Sequence, residues 1–190
     1  SRVDVRGEIS TPLAFLRGAK LRIGRNDYRH SELASGEVGT RFNDAGWEGR
    51  LELPHRPLGP LTGTVGVQVR RRDLEAVGEE RFLPPTTSES QALFFFEEMP
   101  LGPVRLQLGS RFEHQSVASP ETEEVQIRSF NGYSGSLGFV YSPAMAWSIS
   151  LSVARTTKLP NAQELFANGP HVATRSFEIG DPGLTNEIST

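Results

Sequence analysis

Cysteine is absent from all 190 residues, which removes disulfide frameworks, thiol nucleophiles and cysteine-ligated zinc together. No apolar run approaches the ~20 residues that a membrane-spanning helix requires. The first residues also lack a basic segment followed by an apolar one, so no secretory leader is legible. Charge of one sign is scarce. A formal net charge of -3 provides no basic field and argues against nucleic acid as a partner. Hydrophobic residues make up only 36%, low for a compact core in a chain of this size but natural for a sheet wet on one face. Catalytic patterns are missing too. No Gly-x-Ser-x-Gly elbow opens a helix, and Gly135-Ser136-Leu137-Gly138 belongs to an alternating segment. Gly36 and Gly39 sit in no strand-loop-helix unit of the kind that cradles phosphate. The expectation is therefore a protein that is not an enzyme and carries no cofactor.

What the chain does have is period-two alternation, repeated in segment after segment. Leu61, Val65, Val67 and Val69 fall on one face and Thr62, Thr64, Gln68 and Arg70 on the other. Trp147-Ser148-Ile149-Ser150-Leu151-Ser152-Val153 alternates with almost complete contrast, and Val104 to Phe112 and Tyr133 to Tyr141 do the same. The pattern predicts strands near 2–9, 16–28, 40–53, 61–73, 89–98, 103–114, 128–141 and 147–157, with a ninth beginning near Leu184. Several exceed the five or six residues usual in soluble sheets and reach the roughly nine to eleven needed to cross a bilayer at a tilt. A mean hydropathy of -0.36 is compatible with that, because lipid-facing and lumen-facing residues alternate. A soluble barrel or two-layer sandwich has similar alternation. The two readings separate on whether Val65/Val67/Val69 and Ile149/Leu151/Val153 lie open or beneath a second layer.

Connection lengths alternate as well. Short proline-bearing links occur at Ser10 to Leu13, Pro54 to Pro60, Met99 to Gly102 and Ser142 to Met145. Long polar ones occur at Arg29 to Gly39, Leu74 to Ser88, Gln115 to Ile127 and Lys158 to Gly183. In an up-and-down antiparallel sheet this puts short turns on one rim and long loops on the other, the outer-membrane barrel arrangement. Tyr141 and Trp147 would form a girdle at the short-turn rim, with Tyr28, Phe42 and Phe130 near the opposite one. Asn161 to Ala167 is the helix candidate, following Pro160 and stopped by Asn168-Gly169. Its expected task is to fold the last long loop back on itself.

The passage from Ser152 to Thr190 combines Arg155, Pro160, Glu164-Leu165, Asn168-Gly169-Pro170-His171, Ala173-Thr174, Phe177-Glu178, Gly180-Asp181-Pro182 and Leu184-x-x-Glu187. It resembles a late barrel passage of the TonB-dependent outer-membrane receptors. Asp27-Tyr28-Arg29-His30-Ser31-Glu32 and Gly78 to Pro85 add looser likeness. Taken with the alternation, the resemblance implies an all-β chain: the eight to nine long strands read above form an antiparallel up-and-down meander that is part of a transmembrane barrel wall, with one short helix in the last long loop. It implies residence in the outer membrane of a Gram-negative cell and energy-coupled import of a scarce nutrient. The outer-membrane lipid would be one partner, the TonB complex, acting through a plug domain, another. Residues 1–190 would then be a partial barrel domain, with plug and remaining strands elsewhere, and exposed strand edges would favour self-association of such a piece. Siderophore-bound iron, haem, cobalamin, zinc and oligosaccharides all remain open as cargo.

Candidate ligand contacts lie in the long links. His30 is grouped with Asp27, Tyr28 and Glu32, and His171 with Glu178 and Asp181. Imidazole with carboxylate suits zinc and similar ions; the same side chains can equally tie loops together by hydrogen bonds. His55 in a short link and His114 at a strand end have no liganding neighbour in sequence. Arg22, Arg50, Glu52, Arg105, Arg111 and Glu113 fall on the polar face, where they would line a lumen and pair across strands. Arg70-Arg71-Arg72 ends a strand beside a long link, where it would meet solvent or anionic lipopolysaccharide.

Overall fold

The computed structural model describes residues 1–10, 13–34, 37–78, 81–120, 126–171 and 176–190, and the side chains of Glu32, Ala34, Glu37 and His171 lie outside that set. Eight long strands follow one another: β1 (Arg2–Ser10), β2 (Gly18–Ala34), β3 (Glu37–Pro54), β4 (Thr62–Gly78), β5 (Thr86–Leu101), β6 (Val104–Ser119), β7 (Gln126–Ala144) and β8 (Trp147–Lys158). A helix α1 (Ala162–Phe166), a small hairpin β9 (Asn168–His171) and β10 (Ser176–Ile179), and a short β11 (Glu187–Ser189) complete the chain. Each long strand pairs antiparallel with the next, and β11 joins β8, giving one sheet in the order β1 to β8 and then β11. The expected all-β meander with one short helix is the observed fold.

The two faces differ as the alternation demands. Val65, Val67 and Val69 are 40%, 45% and 37% exposed, Ile149, Leu151 and Val153 56%, 72% and 56%. Among the described residues no second layer covers them. The sandwich reading falls here, since its inner face would be packed. Leu21, Leu51, Val67, Leu93, Phe112 and Tyr133 stand in one line across β2 to β7 on this apolar face. The adjacent line on the other face runs Arg22, Arg50, Gln68, Ala92, Glu113 and Gly132.

The apolar band crosses the strands obliquely. From Val65 the pairing leads through Phe95, Ser110 and Gly135 to Arg155. Val65 is the lowest of its apolar triplet, yet Arg155 stands beyond the uppermost of the β8 triplet, Val153. The band therefore drops by six residues in four strand steps, having drifted little between β1 and β4. With ~3.3 Å per residue and ~4.8 Å between strands, that drop corresponds to a strand tilt of about 45°, the value a membrane barrel requires.

The long links are shorter than the sequence suggests. β2 runs on to Ala34 and β3 resumes at Glu37; β4 reaches Gly78, β6 reaches Ser119 and β7 starts at Gln126. The rims still differ, because strands overshoot the apolar band on one side; link length by itself separates them only at the last link, 159–186. Beyond Val69 the outer face of β4 carries Arg71 and Asp73, with Arg71 paired to Asp73 at 3.2 Å and to Glu89 of β5 at 2.8 Å. Once both faces are polar, apolar contrast no longer marks the strand. The opposite rim holds the tight turns, such as Gly102-Pro103 between β5 and β6, where Gly102 takes a φ of 62° at no Cβ cost. Phe42 and Phe130, expected near a girdle, instead lie buried on the inner face, in the small apolar core described next.

Candidate functional site: the inner wall and its loop rim

Between β8 and β11 the chain folds inward over the sheet. Asn161 caps α1 by accepting from the Glu164 backbone N–H at 3.0 Å, and the Glu164 side chain accepts from the Asn161 N–H at 2.9 Å, the reciprocal pair that fixes a helix start. Lys158 Nζ donates to the other oxygen of Glu164 at 2.5 Å. This ion pair, helped by the Asn161 amide, holds the Glu164 carboxyl below its ordinary range. So short a helix gains little from its own hydrogen bonds; packing fixes it. Ala162, Leu165, Phe166 and Ala167 join Phe42, Ala76, Phe82, Leu83, Val117 and Phe130 in one buried cluster. Phe42, Ala76, Val117 and Phe130 come from the inner faces of β3, β4, β6 and β7, so the loop, which folds back on itself through the β9–β10 pairing and the Gly180 N–H to Ala167 carbonyl bond at 2.6 Å, is also pinned to the wall. Gln115 Nε2 to the Pro160 carbonyl at 2.8 Å and the Asn168 N–H to the Phe82 carbonyl at 2.6 Å secure its two ends. Gly180 is required there, because a Cβ would come within 2.8 Å of the α1 backbone.

The sequence-predicted ligand residues distribute around this rim without converging. His30 lies directly across from Phe42 and stacks on its ring at 4.6 Å and 5°, while Tyr28 tilts against His30 at 5.3 Å. Asp27 alternates to the outer face and meets Arg29 at 3.3 Å. Glu178 accepts from Gln163 Nε2 at 2.6 Å, and Asp181 accepts from the Gly183 N–H at 2.7 Å. The backbone of Glu32 lies in β2 and that of His171 in β9; their side chains are outside the described residues. Among the described residues no three histidine or acidic side chains gather where they could hold a metal ion.

Below the rim, the inner wall carries a network that spacing alone does not reveal. Arg111 of β6 donates to Gln68 of β4 at 2.9 Å, and Arg70 of β4 reaches Glu113 of β6 at 3.3 Å. Both span β5, where Ala92 and Ser90 stand beneath them, only 7% and 8% exposed. Arg50 of β3 lies 4.0 Å over the Phe94 ring of β5 while pairing with Glu52 at 2.7 Å. The intervening residue on β4 is Gly66, where a Cβ would sit 2.3 Å from the Phe94 ring. Each link skips a strand by passing over a small residue. On the outer side of the short-turn rim His55 and Glu97 do likewise, at 2.9 Å over Gly63, whose Cβ position the Glu97 carboxylate occupies. His55 Nδ1 also lies 2.6 Å from the Arg56 carbonyl. That carbonyl, and then Glu97, raise the imidazole above its ordinary pKa. The signal for these links was the coincidence of a small residue on one strand with long polar ones on both neighbours, which needs the register to be seen.

An oblique apolar outer band, an ion-paired inner wall and an inward-folded loop define the wall of a transmembrane β-barrel. The family described as "TonB dependent receptor-like, beta-barrel" matches residues 4–190, and the chain belongs to it. That family comprises outer-membrane receptors and transporters rather than enzymes.

Proposed function

We infer that this chain forms wall strands of an outer-membrane receptor that imports a small scarce nutrient by gated transport, energised by the TonB complex acting through a plug domain. The observation that carries this is the opposition of faces: exposed Val, Leu, Ile and Phe outward, arginine, glutamate and glutamine in mutual contact inward. Charges are cheap toward a wet lumen and costly toward lipid. Residues 1–190 serve as one sector of a larger barrel. Ligand arrives at the rim where Tyr28 and His30 face inward beside the pinned loop, on the strand that also carries Glu32 and near the last loop that carries His171, Glu178 and Asp181. The test is uptake of candidate nutrients by cells with and without the receptor, each with the energy-transducing complex intact or deleted. Import lost in both deletions supports the reading; import that survives loss of the complex, or a receptor recovered outside the outer-membrane fraction, overturns it. Zinc titration of the intact receptor carrying His30→Ala and His171→Ala decides the metal version, which unchanged affinity would remove.

A further inference from the structure

The run Arg70-Arg71-Arg72 is the basic cluster that would meet anionic lipid, but its charges are already matched. Arg70 reaches Glu113 on the inner wall and Arg72 is held there by Asp44; Arg71, the one that faces outward, is paired with Asp73 and Glu89. A different arginine on the lipid side has no such partner. Arg155 follows Val153 on the outer face of β8 and lies directly across from Gly135 of β7. No outward position of β6, β7 or β8 is acidic, and Arg155 forms no ion pair among the described residues.

The wall opens beside this arginine. Backbone pairing of β7 with β8 stops at Gly135 and Arg155, and beyond it Thr157 is tied to β7 by its N–H to Ser134 Oγ at 3.0 Å and its Oγ1 to the Tyr133 carbonyl at 2.7 Å. The result is a hollow of about 550 Å³ bordered by Asn131, Tyr133, Gly135, Arg155, Asn186 and Ile188. Below it a slot continues into the apolar band. The row Arg155, Gly135, Ser110, Phe95 crosses four strands, and its two middle members are small. Phe112 and Tyr133, with ring centroids 4.8 Å apart, wall the slot above, while Leu108 and Leu137 wall it below. Because the band is oblique, this row descends from Arg155 to Phe95, about 14 Å at ~4.8 Å per strand. The charge therefore sits at the upper end, where an arginine facing lipid is tolerated far better than at mid-depth.

We propose that hollow and slot together hold one molecule of lipopolysaccharide, with a phosphate of its lipid anchor on Arg155 and a fatty chain lying past Gly135 and Ser110 to Phe95. This goes beyond the transport reading and rests only on its placement of the wall in the outer membrane. The rim that carries the long last link is the extracellular one, so lipid at the height of Arg155 belongs to the outer leaflet. A guanidinium fork matches two phosphate oxygens, and the absence of outward carboxylates on the same three strands leaves that charge for the lipid to neutralise.

The experiment uses the intact receptor, stripped of lipid in neutral detergent, with native mass spectrometry to follow binding of three probes: lipid A carrying its phosphates, the same lipid A dephosphorylated, and phosphatidylglycerol. Phosphorylated lipid A should bind most tightly. Arg155→Gln should weaken it about tenfold or more, to the level of the dephosphorylated form, whereas Arg71→Gln should leave it unchanged. Gly135→Leu fills the slot and keeps the charge; a Cβ there would lie 3.7 Å from the Gly109 carbonyl, an ordinary contact, so the strand accepts it. That variant should weaken both forms of lipid A alike. Undiminished lipid A binding to Arg155→Gln or to Gly135→Leu, or a loss in Arg71→Gln instead, overturns the proposal. So does phosphatidylglycerol binding as tightly as lipid A, since any phosphate-bearing lipid would then serve. A receptor that takes up no lipid A yet fractionates with the outer membrane and imports its nutrient overturns this proposal alone and leaves the transport reading standing.

Discussion

Replacing Leu165 with alanine should release the inward-folded loop while leaving the barrel wall intact. Leu165 is 0% exposed and sits at the centre of the cluster that joins α1 to β3, β4, β6 and β7. Leucine-to-alanine changes in cores cost about 2–5 kcal/mol, the spread reflecting how far the site collapses. One wall of this site is a five-residue helix free to settle inward, which places the cost at the lower end, ~2–3 kcal/mol. Because α1 contributes only Ala162, Leu165 and Phe166 as buried residues, that loss falls on local docking. Amide exchange across 161–171 and 176–181 should quicken about 30- to 150-fold, at ~1.4 kcal/mol per factor of ten, with the described residues of β4 to β7 unchanged. Mass-spectrometric hydrogen exchange on the intact receptor reads both. As a control, Ile179→Ala alters a side chain 77% exposed and should fall within ~0.5 kcal/mol of the parent. Unchanged exchange in Leu165→Ala, or protection lost equally through the strands, would refute the claim that this cluster pins the loop.

Arginine at Leu151 should cost ~2–4 kcal/mol of barrel stability through lipid contact, whereas Ser150→Arg, one residue away on the inner face, should cost far less; denaturant unfolding from lipid vesicles compares them. Gly66→Ala places a methyl 2.3 Å from the Phe94 ring and 2.6 Å from the Leu51 carbonyl and should destabilise by ~1–3 kcal/mol through overpacking, measurable in the same assay. His55 titrates above its ordinary value in the folded state, so its contribution is fully present below about pH 6.5 and disappears as pH rises through the folded pKa. The stability of His55→Gln should lack that decline, and equal pH profiles for the two proteins would count against the His55–Glu97 link.

Strand identity and facing were legible in the sequence because lipid and lumen impose opposite demands on alternate residues, as at Val65/Gln68 or Leu151/Ser150. Strand ends at the loop rim were not, because Arg71, Asp73, Thr87 and Glu89 are polar on the outward face too, and period-two contrast vanishes where water lies on both sides. Histidine roles were illegible for a different reason. His30 owes its stacking to Phe42 and His55 its carboxylate to Glu97, partners 12 and 42 residues away that only register brings near. The inner line Arg22, Arg50, Gln68, Ala92 and Glu113 is likewise a register property that no one segment displays.

The links that pass over Gly66, Ser90, Ala92 and Gly63 bear on how this wall assembles correctly. A pairing error of one residue turns arginines toward lipid and is rejected by the membrane itself. An error of two residues keeps every apolar side chain outward and every charge inward, so the membrane cannot detect it. The strand-skipping contacts can. Shifting β5 by two residues against β4 would set Phe94 or Ala92 against the wrong neighbour and break the contacts of Arg50 with Phe94, Arg111 with Gln68 and His55 with Glu97, so small residues on one strand check the alignment of the strands on either side.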